Sequence, residues 1–153
     1  MLAIVDTSVT TTKKILIDEL RTALGVATQA QQETGTSIVT TVTPGRQQYH
    51  PSAAKGWVEF DAAGTLSSSY NVTSITDTGS GNWTVIWGTD FSGASFSVVA
   101  SGLNGNARVG EVNVSTKAAG STIITSWIST GVGDTTKTAS DSVPMNVVAY
   151  GDQ

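Results

Sequence analysis

A chain of 153 residues, with 39% apolar and only 13% charged side chains, is long enough to bury a core and too apolar to stay disordered. Its net charge of −4 is unevenly spread: residues 1–55 carry five basic and four acidic side chains and residues 56–153 three and eight, which argues against a nucleic-acid-binding face. With no cysteine there are no disulfides, the opening Met1-Leu2-Ala3-Ile4-Val5-Asp6 is too short and too soon acidic for a signal peptide, and no apolar run approaches the ~20 residues of a membrane span.

The first expected element is a strand over Leu2–Val5, followed by a turn at Asp6-Thr7-Ser8 and a second strand over Lys13–Ile17. Asp18 reads as a helix N-cap, Leu20 and Leu24 share one helical face, and Gly25 ends the turn. A hairpin and a helical turn of this size cannot bury their apolar side alone. Residues 1–25 therefore read as an attachment or oligomerisation module, with a flap on the main domain as the alternative.

From Ala27 to Lys55 the chain is polar, amide-rich and broken by Pro44 and Pro51. It is too poor in large apolar residues to fold by itself, so residues 26–55 read as an extended, partly helical connector ordered by packing against other copies. Thr43-Pro44 is a helix start with proline at the first helical position, and Arg46–His50 would form a short helix stopped by Pro51. The expected contacts between copies are Pro44, Arg46, Gln47, Gln48, Tyr49, His50 and Pro51. His50 is the one histidine of the chain and reads as a packing or hydrogen-bonding residue.

From Gly56 the pattern changes to period two. Strands are expected to begin near Trp57, Tyr70, Trp83, Phe96, Arg108, Thr122 and Val143, separated by turn compositions such as Thr78-Gly79-Ser80-Gly81-Asn82 and Asn104-Gly105. Trp83, Val85 and Trp87 share one face, as do Phe96, Val98 and Ala100, and again Met145, Val147 and Ala149. The expected fold is mainly β, with residues 56–153 forming an antiparallel, jelly-roll-like β-sandwich head. Ile123, Ile124, Trp127 and Ile128, like Val147, Val148 and Tyr150, place apolar side chains on both faces of a strand, and a symmetric partner or the N-terminal segment would cover the second face.

Catalytic chemistry finds little support in these residues. A nucleophilic triad needs a base, and the single histidine lies in the connector. Glu59 and Asp61 share a strand face and read as a solvated pair; a glycan-cleaving enzyme would need Glu59 or Glu111 to converge with a second carboxylate in a groove. Asp77, Asp90, Asp134 and Asp141 lack the dense oxygen-ligand pattern of a calcium loop. No cofactor, metal site or catalytic residue is expected. Core positions are expected for Trp57, Trp83, Trp87 and Trp127, whereas Tyr70, Phe91 and Asn104, beside turns, are the candidate receptor contacts.

Ala27-Thr28-Gln29-Ala30-Gln31-Gln32-Glu33-Thr34-Gly35-Thr36, followed by Val42-Thr43-Pro44-Gly45-Arg46-Gln47-Gln48-Tyr49-His50-Pro51-Ser52-Ala53-Ala54-Lys55, closely resembles a segment of tail fibres and other fibre-like virion proteins of tailed bacteriophages. Trp57-Val58-Glu59-Phe60, Ser69-Tyr70-Asn71-Val72 and Ser74-Ile75-Thr76-Asp77 are similar to the β domain that follows it there, Tyr150-Gly151-Asp152-Gln153 to the C-termini of those proteins, and Ile4-Val5-Asp6 with Thr12-Lys13-Lys14 to a module that precedes it. The resemblance implies a homotrimer whose connector winds three chains together, located on a virion assembled in the host cytoplasm. It also implies docking to other virion proteins, of capsid or tail, through Leu2, Ile4, Val5, Ile15, Ile17 and Leu20. The chain is far shorter than a typical tail fibre, which fits a short fibre or spike binding a host glycan or other receptor, or a capsid decoration or head fibre protein. No enzyme activity, nucleic-acid partner or membrane insertion is implied. A monomeric carbohydrate-binding module is the reading outside this family.

Overall fold

The computed structural model describes residues 2–4, 13–15, 25–38, 40–103, 109–129 and 136–153. The chain divides into two compact units, Met1–His50 and Pro51–Gln153.

In the first unit, β1 (Leu2–Ile4) pairs antiparallel with β2 (Lys13–Ile15), Leu2 opposite Ile15 and Ile4 opposite Lys13. The expected helix after Asp18, together with Val5, Ile17 and Leu20, lies outside the described residues. The connector sequence holds two short helices. The first, α1 (Gln29–Thr34), is set by a capping box: the Thr28 hydroxyl accepts the Gln31 N–H at 3.2 Å, and the Gln31 side-chain oxygen accepts the Thr28 N–H at 2.9 Å. Gly35, at φ 64°, closes its other end in the left-handed conformation that glycine adopts without steric cost. The second helix, α2 (Pro44–Gln47), begins with proline as expected and gives way to a turn before Pro51. Between the helices the chain doubles back on itself. Val26 and Thr41 form a parallel bridge, with Ala27 N–H donating to Thr41 O at 2.9 Å and Thr41 N–H donating to Gly25 O at 3.1 Å. Residues 26–41 are therefore closed into a loop by this bridge rather than fully extended.

The second unit is a two-sheet antiparallel β-sandwich, not a closed barrel. Its strands are β3 (Gly56–Phe60), β4 (Leu66–Tyr70), β5 (Val72–Gly79), β6 (Asn82–Trp87), β7 (Ser97–Gly102), β8 (Val109–Ala118), β9 (Ser121–Ser129), β10 (Thr138–Ala139) and β11 (Met145–Tyr150). One sheet has the order β4-β3-β11-β7. In the other, β5 pairs with β6 and β6 with β9; β8 runs along one edge of β9, whose other edge is shared between β6 and the short β10. The strand expected to begin near Tyr70 is in fact two. Tyr70 ends β4, and Asn71, at φ 55°, turns the chain from one sheet into the other.

The core lies between the sheets and follows the expected alternation. Trp83, Val85, Trp87 and Ile124 of one sheet meet Val58, Phe60, Met145, Val147 and Ala149 of the other. The aromatic rings pack edge to face, Phe60 with Trp83 at 5.7 Å and Trp87 with Phe91 at 5.6 Å between centroids, while Phe91 and Phe96 stack at 3.9 Å. The buried indoles keep hydrogen-bond partners: Trp83 Nε1 donates to Ala62 O at 3.0 Å and Trp87 Nε1 to Thr122 Oγ1 at 3.1 Å. Trp87 also explains why β3 starts on a glycine, since a Cβ on Gly56 would lie 2.7 Å from its ring. Lys55 joins this unit, with its N–H donating to Ala149 O at 2.8 Å and its carbonyl accepting from Asn71 Nδ2 at 2.8 Å.

Candidate binding face

The two outer faces of the sandwich differ in chemistry. On the five-stranded sheet the outward positions are mostly Ser, Thr and Asn, with Ile86, Ile123 and Trp127 half-buried among them. On the four-stranded sheet, backbone register lines up two rows across the strands. Tyr70, Trp57, Val148 and Val99 are direct cross-strand neighbours in one row. Ser68, Glu59, Asn146 and Ser101 are neighbours in the next. Neighbouring strands lie ~4.8 Å apart and alternate residues on one strand ~7 Å apart, so the apolar row and the polar row run side by side across the sheet.

The apolar row is open. Trp57 is 40%, Tyr70 49% and Val99 62% exposed, and neither the Trp57 nor the Tyr70 ring is in contact with another described aromatic ring. In the polar row Glu59 is half-buried, and its carboxylate has no hydrogen-bond or ion-pair partner among the described residues. Asp61, expected beside it, is used differently: its carboxylate accepts the N–H groups of Ala63 at 3.0 Å and Thr65 at 2.8 Å and builds the turn into β4.

A cavity of about 350 Å³ opens elsewhere on this unit, lined by Pro51, Ser95, Phe96, Ser97, Lys117, Tyr150 and Gly151. Lys117 reaches it because of a bulge. Val114 pairs with Ile124 and Thr116 with Ile123, so Ser115 is extra, and the phase change turns Lys117 to the inner side opposite Thr122. Its ammonium donates to Phe96 O and sits 5.2 Å from the Phe96 ring.

The candidate residues named from sequence fall into separate places. Tyr70 stands in the exposed row. Phe91 does not: it is 3% exposed, stacked on Phe96 beneath Trp87, because the apolar end of the sandwich needs a ring there. Asn104 lies outside the described residues. Of the connector residues, Pro44, Arg46, Gln47, Gln48, His50 and Pro51 are exposed and Tyr49 is half-buried, with the Arg46 guanidinium 5.6 Å over the Tyr49 ring. Of the four tryptophans expected in the core, Trp83 and Trp87 are buried there, while Trp57 and Trp127 lie on outer faces. Trp57, expected in the core, and Val99 join Tyr70 in the exposed row. The signal for Trp57 was Glu59, which shares its strand face and has to reach water.

Glu59 and Glu111 stand on opposite outer faces of the sandwich and do not converge. Glu111 is held below the ordinary carboxylate range by a hydrogen bond from Lys137, with help from Asn113 and the Lys137 charge. Among the described residues no group of three or more metal-ligating side chains converges, and no helix is long and apolar enough to cross a membrane. No family model, curated protein or solved structure matches the chain.

Proposed function

We propose that this chain is a non-enzymatic structural protein of a bacteriophage particle, a short homotrimeric fibre or spike whose connector interlocks three chains and whose β heads bind the host surface. The observation that carries the reading is the state of the connector in a single chain. Ile38 is 97% exposed, and Val42 and Val26 are also exposed, within a segment otherwise ordered by caps and a backbone bridge. Fully burying an aliphatic side chain of this size contributes about 1.5–3 kcal/mol, and a monomer forgoes nearly all of this at Ile38 and part of it at Val42 and Val26. Copies wound around one another would cover the aliphatic residues, and the similarity of residues 27–55 to the fibre segment of tailed phages gives the assembly its expected place. Docking through the N-terminal hairpin, where Leu2 and Ile15 pair, would attach it to the particle.

A decoration or head fibre protein on the shell is the second reading, because the segment that residues 27–55 resemble occurs in other fibre-like virion proteins as well as in tail fibres. Gold-labelled antibody raised against the recombinant protein separates the two on purified particles. Label at the tail supports adhesion and label over the shell supports decoration; particles without label contradict both.

A further inference from the structure

The outer face of the four-stranded sheet is amphipathic in rows, not uniformly apolar. Trp57 and Tyr70 are in register on adjacent strands with rings unengaged by other described rings, and Val148 and Val99 extend their row. One row along, Glu59 is flanked by Ser68 and Asn146, with Ser101 beyond. We propose that this face binds a neutral hexopyranose glycan. The C–H faces of the sugar rings stack on Trp57 and Tyr70, and its hydroxyls donate to the Glu59 carboxylate and exchange hydrogen bonds with Asn146 and Ser68.

Three observations select this occupant. A pyranose carries an apolar face beside a rim of hydroxyls, which is the order in which the two rows present themselves. The Glu59 carboxylate, half-buried and without a partner among the described residues, can only accept hydrogen bonds, and sugar hydroxyls supply donors without bringing charge. The centre of a protein–protein contact is depleted of charged residues, so an unpaired carboxylate beside the ring pair fits a second copy of the chain poorly. Charge also selects among glycans. Neither row carries a cation, Lys55, two residues before Trp57, is buried, and Lys137 is paired with Glu111 on the far face, so a sialylated or phosphorylated sugar would meet repulsion from Glu59 and no cation of either row.

The inference deepens the adhesion reading and rests on it for the source of the glycan. Its test uses the full-length protein and an immobilised panel of β-1,4-glucan, α-1,4-glucan, β-1,4-mannan and β-1,4-galactan oligosaccharides beside sialyllactose and mannose 6-phosphate. Binding is read by retention and by tryptophan fluorescence, and light scattering is recorded on the same samples. The expected result is binding of at least one neutral oligosaccharide. It should weaken about tenfold or more in Trp57→Ala and in Tyr70→Ala, and several-fold in Glu59→Gln. Far-ultraviolet circular dichroism identifies any variant that has lost its fold, and Glu59→Gln, an isosteric change on the surface, tests the face independently of the aromatic truncations.

Absence of binding to every neutral sugar, undiminished binding in all three variants, or preference for the anionic sugars overturns the inference. A drop in particle mass in Trp57→Ala, with the fold kept, would assign the face to contact between copies and overturn it too. A trimer that binds no neutral glycan defeats this inference and leaves the trimer standing. A monomer that binds one defeats the trimer and leaves the face standing.

Discussion

Asn71 is where the chain leaves one sheet for the other, and its side chain fixes the crossing. At φ 55° it occupies the left-handed region, which asparagine tolerates better than most residues. Its Nδ2 donates to Lys55 O at 2.8 Å and Thr89 O at 3.3 Å, and its Oδ1 accepts the Thr89 N–H at 2.6 Å. Asn71→Ala removes these bonds and adds left-handed strain, so it should destabilise the head by about 3 kcal/mol in chemical denaturation. Asn71→Gly keeps the backbone conformation and should lose less; equal losses would contradict the part assigned to φ. None of this was legible in sequence, where the Asn71-Val72-Thr73 stretch has the look of a chance glycosylation sequon. Trp57 was half legible, because period-two alternation in Trp57-Val58-Glu59-Phe60 leaves the inward set open until Glu59 is counted with Trp57. Phe91 was misplaced for a related reason: a ring beside a turn was expected outside, although the open end of a sandwich also has to be filled.

At the scale of elements, alternation located most of the strands because each sheet has one buried face, and a one-residue slip would turn that face outward. What alternation could not show is a break in phase. The bulge at Ser115 reverses the inward set within β8, and only the pairing with β9 reveals it. The helix α1 was legible in principle from Thr28, Gln31 and Gly35, but its amide-rich sequence has no apolar stripe to draw attention to it. Between elements, Lys137 precedes β10 and meets Glu111 on β8. Because the Glu111 carboxyl is held below its ordinary value in the folded chain, its contribution to stability is present above the unfolded value and is lost as pH falls through the folded one. Lys137→Ala should raise the Glu111 midpoint in a carboxyl-carbon NMR titration toward the ordinary value. An unchanged midpoint would contradict the assignment to Lys137.

For the molecule as a whole, the two units rest on different sources of order. The head has its own core between two sheets, with Trp83 and Met145 fully enclosed. The connector is held by caps and one bridge and leaves aliphatic side chains exposed, which is the behaviour expected of a segment completed by its neighbours. That distinction could be drawn from composition alone, since residues 26–55 are poor in the large apolar residues that residues 56–153 supply in alternation. The most direct measurement is the mass of the full-length protein in solution by light scattering, beside a variant carrying Ile38→Asp and Val42→Asp. The account predicts a particle of three times the 15.7 kDa chain that dissociates in the variant while the circular dichroism of the head is retained. A full-length protein with the mass of a single chain would contradict it.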